Sequence, residues 1–172
     1  MKNFIFFTLV SILTFQSCAQ KNEKDSSQNS STYYLIRHAE KDRSDATNRD
    51  PDLKAEGLQR AQNWANHFKD IKFDAVYSTD YNRTKQTAAP TARANNLELQ
   101  FYNPTNIQFE DFLKKTKGQT VLIVGHSNTT PMFANGLLGE EKYRDMEDDD
   151  NSKLFKITIS KDNKKSEVID IN

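Results

Sequence analysis

Two short apolar runs in this chain end in the same way, each with a histidine close behind it. Tyr33–Ile36 is followed by Arg37 and His38, and Val121–Val124 is followed, after one glycine, by His126. A short apolar run predicts a buried strand, and ligands of α/β sheets lie beyond the carboxyl ends of the strands. These two histidines, of only three in the chain, are therefore expected to face one crevice.

The remaining periodicities predict helices over 53–69, 82–95, 107–116 and 129–138, and further strands over 73–77 and 97–102. Two alternating segments, 154–160 and 167–171, flank a polar turn and predict a terminal hairpin. Gly57 is unusual inside a helix and indicates a close backbone approach. Strands that alternate with helices predict a three-layer α/β/α sandwich with a mostly parallel central sheet.

The overall composition limits the possible partners. The 172 residues are enough for one domain, the formal charge is zero, and no basic patch stands out. A nucleic-acid partner is therefore not expected. With a single cysteine, no intrachain disulfide can form, so packing alone must stabilise the fold.

Residues 1–17 are interpreted as a signal peptide. Lys2 supplies a positive charge, and the apolar stretch over 4–15 is too short to span a bilayer. Cys18 follows directly and resembles the lipidated cysteine of a bacterial lipoprotein, although Gln16 stands where a small residue is usual. We expect an exported protein of the cell envelope or periplasm, anchored to a membrane through Cys18. An ordinary secretory signal with an incidental cysteine is the alternative.

The segment 18–31 is interpreted as a flexible tether, and 32–172 as the folded domain. From Gln20 to Thr32 every side chain is polar or charged, with no apolar residue. Such a segment buries too little surface to offset its ordering entropy.

A third motif lies between the two histidines. Ser78–Ala88 follows a predicted strand and carries Arg83 near the start of a predicted helix. Transfer of a phosphoryl group to a protein requires a nucleophile and positive charge around the phosphate oxygens. Neutral imidazole is a competent nucleophile, and guanidinium binds phosphate as a fork. Two histidines and two arginines provide these parts.

Four segments together resemble the histidine phosphatase superfamily, the phosphoglycerate mutase-like proteins. They are the segment 33–40, which contains Arg37 and His38, the helix segment 53–62, the Ser78–Ala88 element and the Val124–Asn128 element. The resemblance runs from about Thr32 to the C-terminal hairpin. Four matches in the same order are far more specific than any one of them.

The resemblance implies a role for each residue. His38 is the nucleophile that forms a phosphohistidine, Arg37 and Arg83 bind the phosphate oxygens, and His126 donates to a phosphate oxygen. Substrate-binding roles are implied for three further residues, Asn128, Ser78 and Ser127. No cofactor and no metal are implied, because the arginines supply the positive charge. The competing interpretations are structural: a strand-end histidine with a structural arginine for Arg37 and His38, a structural histidine for His126, and a surface ion pair for Arg83.

The chain departs from the family pattern in two places. Lys54 stands where a threonine usually caps the helix, so Asp52 is the expected cap. Many relatives carry a glutamate, which acts as the proton donor, after the strand that follows the second arginine, but the segment 101–106 contains no carboxylate. The proton donor is therefore unassigned, with four candidates from sequence proximity: Asp80, Asp42, Asp45 and Glu110.

The sequence favours a metal-independent phosphatase that acts on a phosphomonoester or a phosphoramidate, and disfavours a mutase. Its partners are expected to be a small phosphorylated substrate or a phosphoprotein. The alternative is a phosphate-binding envelope lipoprotein that keeps the pocket with little or no turnover. The acidic segment 140–150 is interpreted as a solvated loop near the pocket rim and not as a calcium site.

Overall fold

The computed structural model describes residues 30–171 as one six-stranded sheet with helices on both faces. The predicted signal peptide 1–17 and the lipidation site Cys18 lie outside these residues. The strands are β1 (Ser31–Arg37), β2 (Ala75–Ser78), β3 (Leu99–Phe101), β4 (Thr120–Gly125), β5 (Lys153–Ile159) and β6 (Lys164–Asp170). The helices are α1 (Ala55–His67), α2 (Asn82–Ala94), α3 (Phe109–Lys115) and α4 (Thr129–Leu138).

The sheet order is β3-β2-β4-β1-β5-β6. The first four strands in this order run parallel, and the terminal hairpin β5–β6 adds two antiparallel strands next to β1. The predicted mostly parallel sheet is therefore confirmed. β1 and β4 are direct neighbours, in a register that pairs Arg37 with Gly125. Their carboxyl ends lie side by side, as the two histidine motifs require.

Two separate apolar cores show the three layers. Along β4, Val121 and Ile123 belong to the core under α3 and α4, whereas Leu122 and Val124 belong to the core under α1 and α2. Successive side chains of a strand point to opposite faces, so a strand covered on both sides needs an unbroken apolar run. β4 has this run because it lies between β2 and β1.

Strand β1 begins at Ser31, one residue before the predicted start of the folded domain. Ser31 is the first residue of β1, and its hydroxyl donates to the carbonyl of Thr116 at 3.2 Å and accepts from the amide of Gly118 at 2.8 Å. These partners lie more than 80 residues away in sequence, so the polar composition of the preceding segment gave no sign of them.

Helix α1 packs directly on the loop that follows His38. A Cβ on Gly57 would collide with the backbone of Glu40, whose carbonyl carbon would lie 3.0 Å away. The predicted close approach is confirmed, and it places α1 beside the site. The predicted cap is wrong: Lys54 precedes the helix without a side-chain cap, and the Asp52 carboxylate accepts from Gln86 instead.

Candidate active site

His38 is fixed by its backbone at the end of β1. Its amide donates to the carbonyl of Gly125 at 2.9 Å, and its carbonyl accepts from the Asn151 side chain at 2.6 Å. The next amide, that of Ala39, donates to Thr87 Oγ1 at 2.9 Å. Contacts from β4, α2 and the segment before β5 therefore hold the two peptide groups on either side of the His38 Cα in place.

The imidazole of His38 is held in a single tautomer. Its Nδ1 lies 2.8 Å from the carbonyl oxygen of Ala39. A carbonyl can only accept, so Nδ1 carries the proton and Nε2 keeps its lone pair. Burial lowers the pKa of His38 to about 3, and the positive charge of Arg37 adds to this effect. The ring is therefore neutral at pH 7, with an unprotonated Nε2.

His126, just after the end of β4, is held through the opposite ring nitrogen. Its Nε2 lies 2.9 Å from Thr79 Oγ1. The Thr84 hydroxyl donates to backbone carbonyls, and Thr79 Oγ1 donates to Thr84 Oγ1 at 3.0 Å. The Thr79 oxygen therefore accepts from Nε2–H. The Nδ1 atom is left facing Arg83, whose Nη2 lies 3.4 Å away.

The two imidazoles face one cavity. Their ring centroids are 5.4 Å apart. Burial, followed by the positive charges of Arg83 and Arg37, lowers the pKa of His126 to about 4. A cavity of about 360 Å³, here called the histidine cavity, is lined by six charged, aromatic or imidazole side chains: His38, His126, Arg83, Lys41, Tyr81 and Asp148.

The start of α4 lines another wall of the histidine cavity. Ser127, Asn128 and Thr129 contribute to the lining there. The amide groups of a helix N-terminus and the helix dipole favour an anion. Gly125 allows this geometry, because a Cβ there would lie 2.9 Å from Thr129 Oγ1.

Arg37 is buried and its terminal nitrogens are fully used. Nη1 donates to the carbonyls of Glu147 and Asp150 at 3.0 and 3.1 Å. Nη2 donates to the carbonyl and the carboxylate of Asp148 at 2.6 and 2.8 Å. Only Nε lacks a partner in the part of the chain that the structure describes. Arg37 can therefore offer a phosphate its Nε, or an Nη2 that Asp148 gives up.

Arg83 is held more weakly. Its Nη1 lies 3.5 Å from both the Asp50 carboxylate and the carbonyl of Arg49. Its guanidinium carbon lies 4.5 Å from the centre of the Tyr81 ring, a cation–π distance. Because these contacts are long, Arg83 can turn toward an anion at little cost.

A family model of the histidine phosphatase superfamily, branch 1, matches residues 33–103. This range contains both arginines and His38, and the site geometry places His126 beside them. Over this range the chain is similar to the histidine phosphatase superfamily. A comparison with the curated proteins found no match.

Solved structures with the same fold carry several activities. A candidate phosphohistidine phosphatase, SixA, from Agrobacterium tumefaciens is 22% identical, with a TM-score of 0.59 over 80% of this chain and 97% of its own. Phosphoglycerate mutase from Bacillus anthracis is 17% identical, with a TM-score of 0.61 over 85% and 95%. A phosphoserine phosphatase mutant from Entamoeba histolytica is 16% identical, with a TM-score of 0.60 over 79% and 94%.

The residues implied by the superfamily motifs do not all reach the cavity. Arg83, His38 and His126 line it, as do Ser127 and Asn128. Arg37 and Ser78 do not. Arg37 lines a neighbouring pocket together with His38, whereas Ser78 is fully buried and its hydroxyl donates to the carbonyl of Thr79. Successive side chains alternate at a strand end, so the next residue, Thr79, reaches His126 instead.

None of the four sequence candidates for the proton donor, all within the described range, lines the histidine cavity. Asp80 pairs with Lys85 on the surface, and Asp42 and Asp45 accept from amides of their own loop. Glu110 lies in the first turn of α3. The segment without the superfamily glutamate does reach the cavity, through Pro104 and Thr105.

The one carboxylate that lines the histidine cavity, within residues 30–171, is Asp148. It pairs with Arg37 at 2.8 Å and with Arg43 at 2.7 Å. Partial burial raises its pKa, but the hydrogen bond from Arg43 and the charges of both arginines outweigh burial and hold the pKa below its usual range. The predicted acidic segment does lie at the pocket rim, but it binds two arginines there and is more than a solvated loop.

Lys41 and Tyr81 line the cavity without having been predicted. Lys41 comes three residues after His38, and Tyr81 lies inside the Ser78–Ala88 motif, so position relative to the motifs was the available signal. Across residues 30–171, no cluster of three or more His, Cys, Asp or Glu side chains is suited to hold a metal ion. In the same range no helix is both long and apolar enough to cross a membrane.

Proposed function

We propose that this protein is a phosphatase that hydrolyses a phosphomonoester or a phosphoramidate through a phosphohistidine on His38. The observation that carries the proposal is the fixed tautomer of His38: Nδ1 is bound to the Ala39 carbonyl at 2.8 Å, and the ring faces a cavity with Arg83 and Lys41. A neutral imidazole with a free Nε2 beside cations is suited to attack a phosphate.

The reaction proceeds in two steps. His38 Nε2 forms a bond to phosphorus while the bond to the leaving oxygen or nitrogen breaks, and the leaving group takes up a proton from solvent water. Water then attacks the phosphohistidine, which releases inorganic phosphate and restores the free imidazole. When the phosphate dianion binds, His126 Nδ1 takes up a proton from solvent. Arg83 and His126 then donate to the phosphate oxygens and stabilise the charge that builds on them.

Hydrolysis is proposed in preference to a mutase reaction. The stretch in which mutase-like relatives carry a glutamate contributes Pro104 and Thr105 to the cavity and no carboxylate. A phosphoramidate, or an ester with a good leaving group, needs less help from an acid. Related structures are named for both substrate types, a phosphohistidine and a phosphoserine, so they do not choose between them.

The experiment is hydrolysis of 4-nitrophenyl phosphate by the full chain, without added metal and then with chelator. His38→Ala is the test variant. His67→Ala is the matched control, because His67 is exposed on α1, away from the site. We expect chelator-resistant turnover that His38→Ala abolishes and His67→Ala keeps. Turnover that survives in His38→Ala, or that the chelator removes, would overturn the proposal.

The competing function is a phosphate-binding envelope lipoprotein. Two observations within residues 30–171 favour it: the segment that carries the superfamily acid brings no carboxylate to the cavity, and Asp148 occupies the Nη2 nitrogen of Arg37. Phosphate binding in calorimetry, without hydrolysis of any aryl phosphate, would support this function over the phosphatase.

We also propose that the protein is exported and anchored through lipidated Cys18. The proposal is supported by the sequence alone: a positive residue, a short apolar stretch and a cysteine directly after it. Metabolic labelling with radioactive palmitate tests it. Label in the wild type and not in Cys18→Ser is expected, and label-free wild type would contradict it.

A further inference from the structure

A second cavity adjoins the histidine cavity. It has a volume of about 700 Å³, and we call it the outer cavity. The two cavities share three lining residues, Lys41, Tyr81 and Arg83, and the outer cavity does not include His38. In an in-line displacement the leaving group lies on the side of the phosphorus away from the nucleophile. Because the outer cavity adjoins the histidine cavity without touching His38, it offers space for a leaving group.

The loop 41–50 that forms this cavity carries three cations and three carboxylates. The carboxylates are used by backbone amides. Asp42 accepts from Ser44, Asp45 accepts from Thr47, and Asp50 accepts from the first amide of α2, each at 2.8 Å. These three carboxylates are held by backbone amides of the loop and of the helix start, and none of them lines the outer cavity.

The cations of the loop fall into two groups. Arg43 pairs with Asp148 at 2.7 Å and lines a separate pocket beside Arg37, not the outer cavity. Lys41 and Arg49 line the outer cavity, and neither side chain has an ion-pair or hydrogen-bond partner within residues 30–171. Burial lowers the pKa of Lys41, with added repulsion from Arg43 and Arg83. An anion bound here would relieve that repulsion.

We propose that the outer cavity is a subsite for a second anionic group, a carboxylate or a phosphate, carried by the leaving group of the substrate and bound by Lys41 and Arg49. This proposal rests on the phosphatase function proposed above, since that function defines which part of the substrate leaves. It narrows the substrate to phosphorylated molecules with two separated negative groups.

The test is calorimetric binding of three benzylphosphonates to the full chain, because phosphonates bind without being hydrolysed. The ligands carry a carboxylate, a neutral carboxamide or a second methylphosphonate at the para position. We expect the wild type to bind the carboxylate or the bisphosphonate about fivefold more tightly than the carboxamide, since pairs with exposed or half-exposed cations are weak. The preference should shrink as salt is raised.

Two variants and one control test whether Lys41 and Arg49 cause the preference for an anionic ligand. Lys41→Gln and Arg49→Gln should each reduce the ratio of affinities toward one. Arg93→Gln removes the same charge from the exposed last turn of α2 and should leave the ratio as it is. Preference for only one of the two anionic ligands identifies that group as the one the subsite binds.

The outcomes separate the two proposals. A wild-type ratio near one, a ratio that survives in both variants, or no binding of any phosphonate would overturn the subsite. A normal ratio without any hydrolysis of 4-nitrophenyl phosphate would instead overturn the phosphatase function and leave the subsite as part of a binding protein.

Discussion

The two halves of the site differ in how tightly hydrogen bonds hold their side chains. On the β1 side, Arg37 donates four hydrogen bonds of 2.6–3.1 Å to the segment 147–150, and His38 is fixed through its amide, its carbonyl and Nδ1. On the β4 side, the His126 backbone is also fixed, through Thr129 Oγ1 and the Thr130 amide, but the polar contacts of Arg83 are only 3.4–3.5 Å long. We call these the fixed half and the adjustable half.

The difference matches the demands of nucleophilic attack on phosphorus. The attacking nitrogen must lie in line with the bond that breaks, so a ring fixed on several sides contributes to the rate. The groups around the phosphate oxygens must follow a charge that moves as the reaction proceeds. The two histidines also have opposite tautomers: His38 keeps the Nε2 lone pair for attack, whereas His126 uses Nε2–H to hold its ring and turns Nδ1 toward Arg83.

The largest expected effect comes from exchanging each histidine for glutamine. His38→Gln should remove the phosphoenzyme and lower kcat at least about 10⁴-fold, as loss of a nucleophile does. His126→Gln should lower kcat by about 10²–10³-fold, the usual cost of one lost donor to the transition state, while a phosphoenzyme still forms. Rapid quenching after mixing with radioactive substrate measures both. A phosphoenzyme in His38→Gln, or none in His126→Gln, would reverse the two roles.

The burial of the fixed half should also appear as a pH dependence of stability. The pKa of His38 is lowered from 6.5 to about 3 in the native state. As the pH falls below 6.5, the unfolded chain binds a proton that native His38 does not, so native stability is lost as the pH falls toward 3. Between pH 7 and pH 5 this one group should cost about 2 kcal/mol.

Urea unfolding at the two pH values measures that loss. His38→Gln should lose about 2 kcal/mol less than the wild type over this interval. His67→Gln, which changes an exposed histidine of the same chain, should keep the wild-type slope. Equal slopes in wild type and His38→Gln would mean that His38 is not buried in its neutral form.

The adjustable half depends on Thr79. Thr79→Val keeps the shape but removes the oxygen that accepts from His126 Nε2–H. We expect kcat to fall about tenfold, the usual effect of one lost hydrogen bond to an active-site side chain. The nitrogen NMR shifts of His126 should report a mixture of tautomers. Thr91→Val is the control, because the buried Thr91 hydroxyl has no hydrogen-bond partner among the described residues. Unchanged His126 shifts in Thr79→Val would contradict a positioning role.

The fold was largely predictable because apolar patterns report local burial. The run at 121–124 identified the central strand, and the predicted helix 129–138 has the observed bounds of α4. Predictions were less accurate where long-range contacts determine the bounds of a strand. The strand predicted over 97–102 shortens to Leu99–Phe101, which pairs with β2 over three residues. Ser31 joins β1 through partners in a distant loop.

The site was predictable where it follows from strand order, and not elsewhere. Two motifs at the ends of strands had to meet once β1 and β4 became neighbours. The choice of Ser78 over Thr79 was off by one residue, which at a strand end changes the face. Asp148 could not be found, because the segment that carries it follows α4 and reaches Arg37 from 111 residues away in sequence.

The smallest predicted effect concerns the ion pair between Arg37 and Asp148 in the fixed half. The Asp148 carboxylate lies 2.8 Å from Arg37 Nη2, yet its side chain is 63% exposed and can move. A phosphate that uses Nη2 must displace this carboxylate, so the free protein carries a competitor for its own ligand. Asp148→Asn removes the charge and should lower the inhibition constant of inorganic phosphate about three- to fivefold, the scale of an exposed ion pair.

Asp145→Asn is the matched control, since it removes an exposed carboxylate from the same segment that, within residues 30–171, pairs with neither arginine. Its inhibition constant should equal that of the wild type. If Asp148→Asn weakens phosphate binding instead, the carboxylate holds Arg37 in a productive position. The fixed half would then include the acidic segment as a support for the phosphate site, and displacement of Asp148 would no longer be needed for binding.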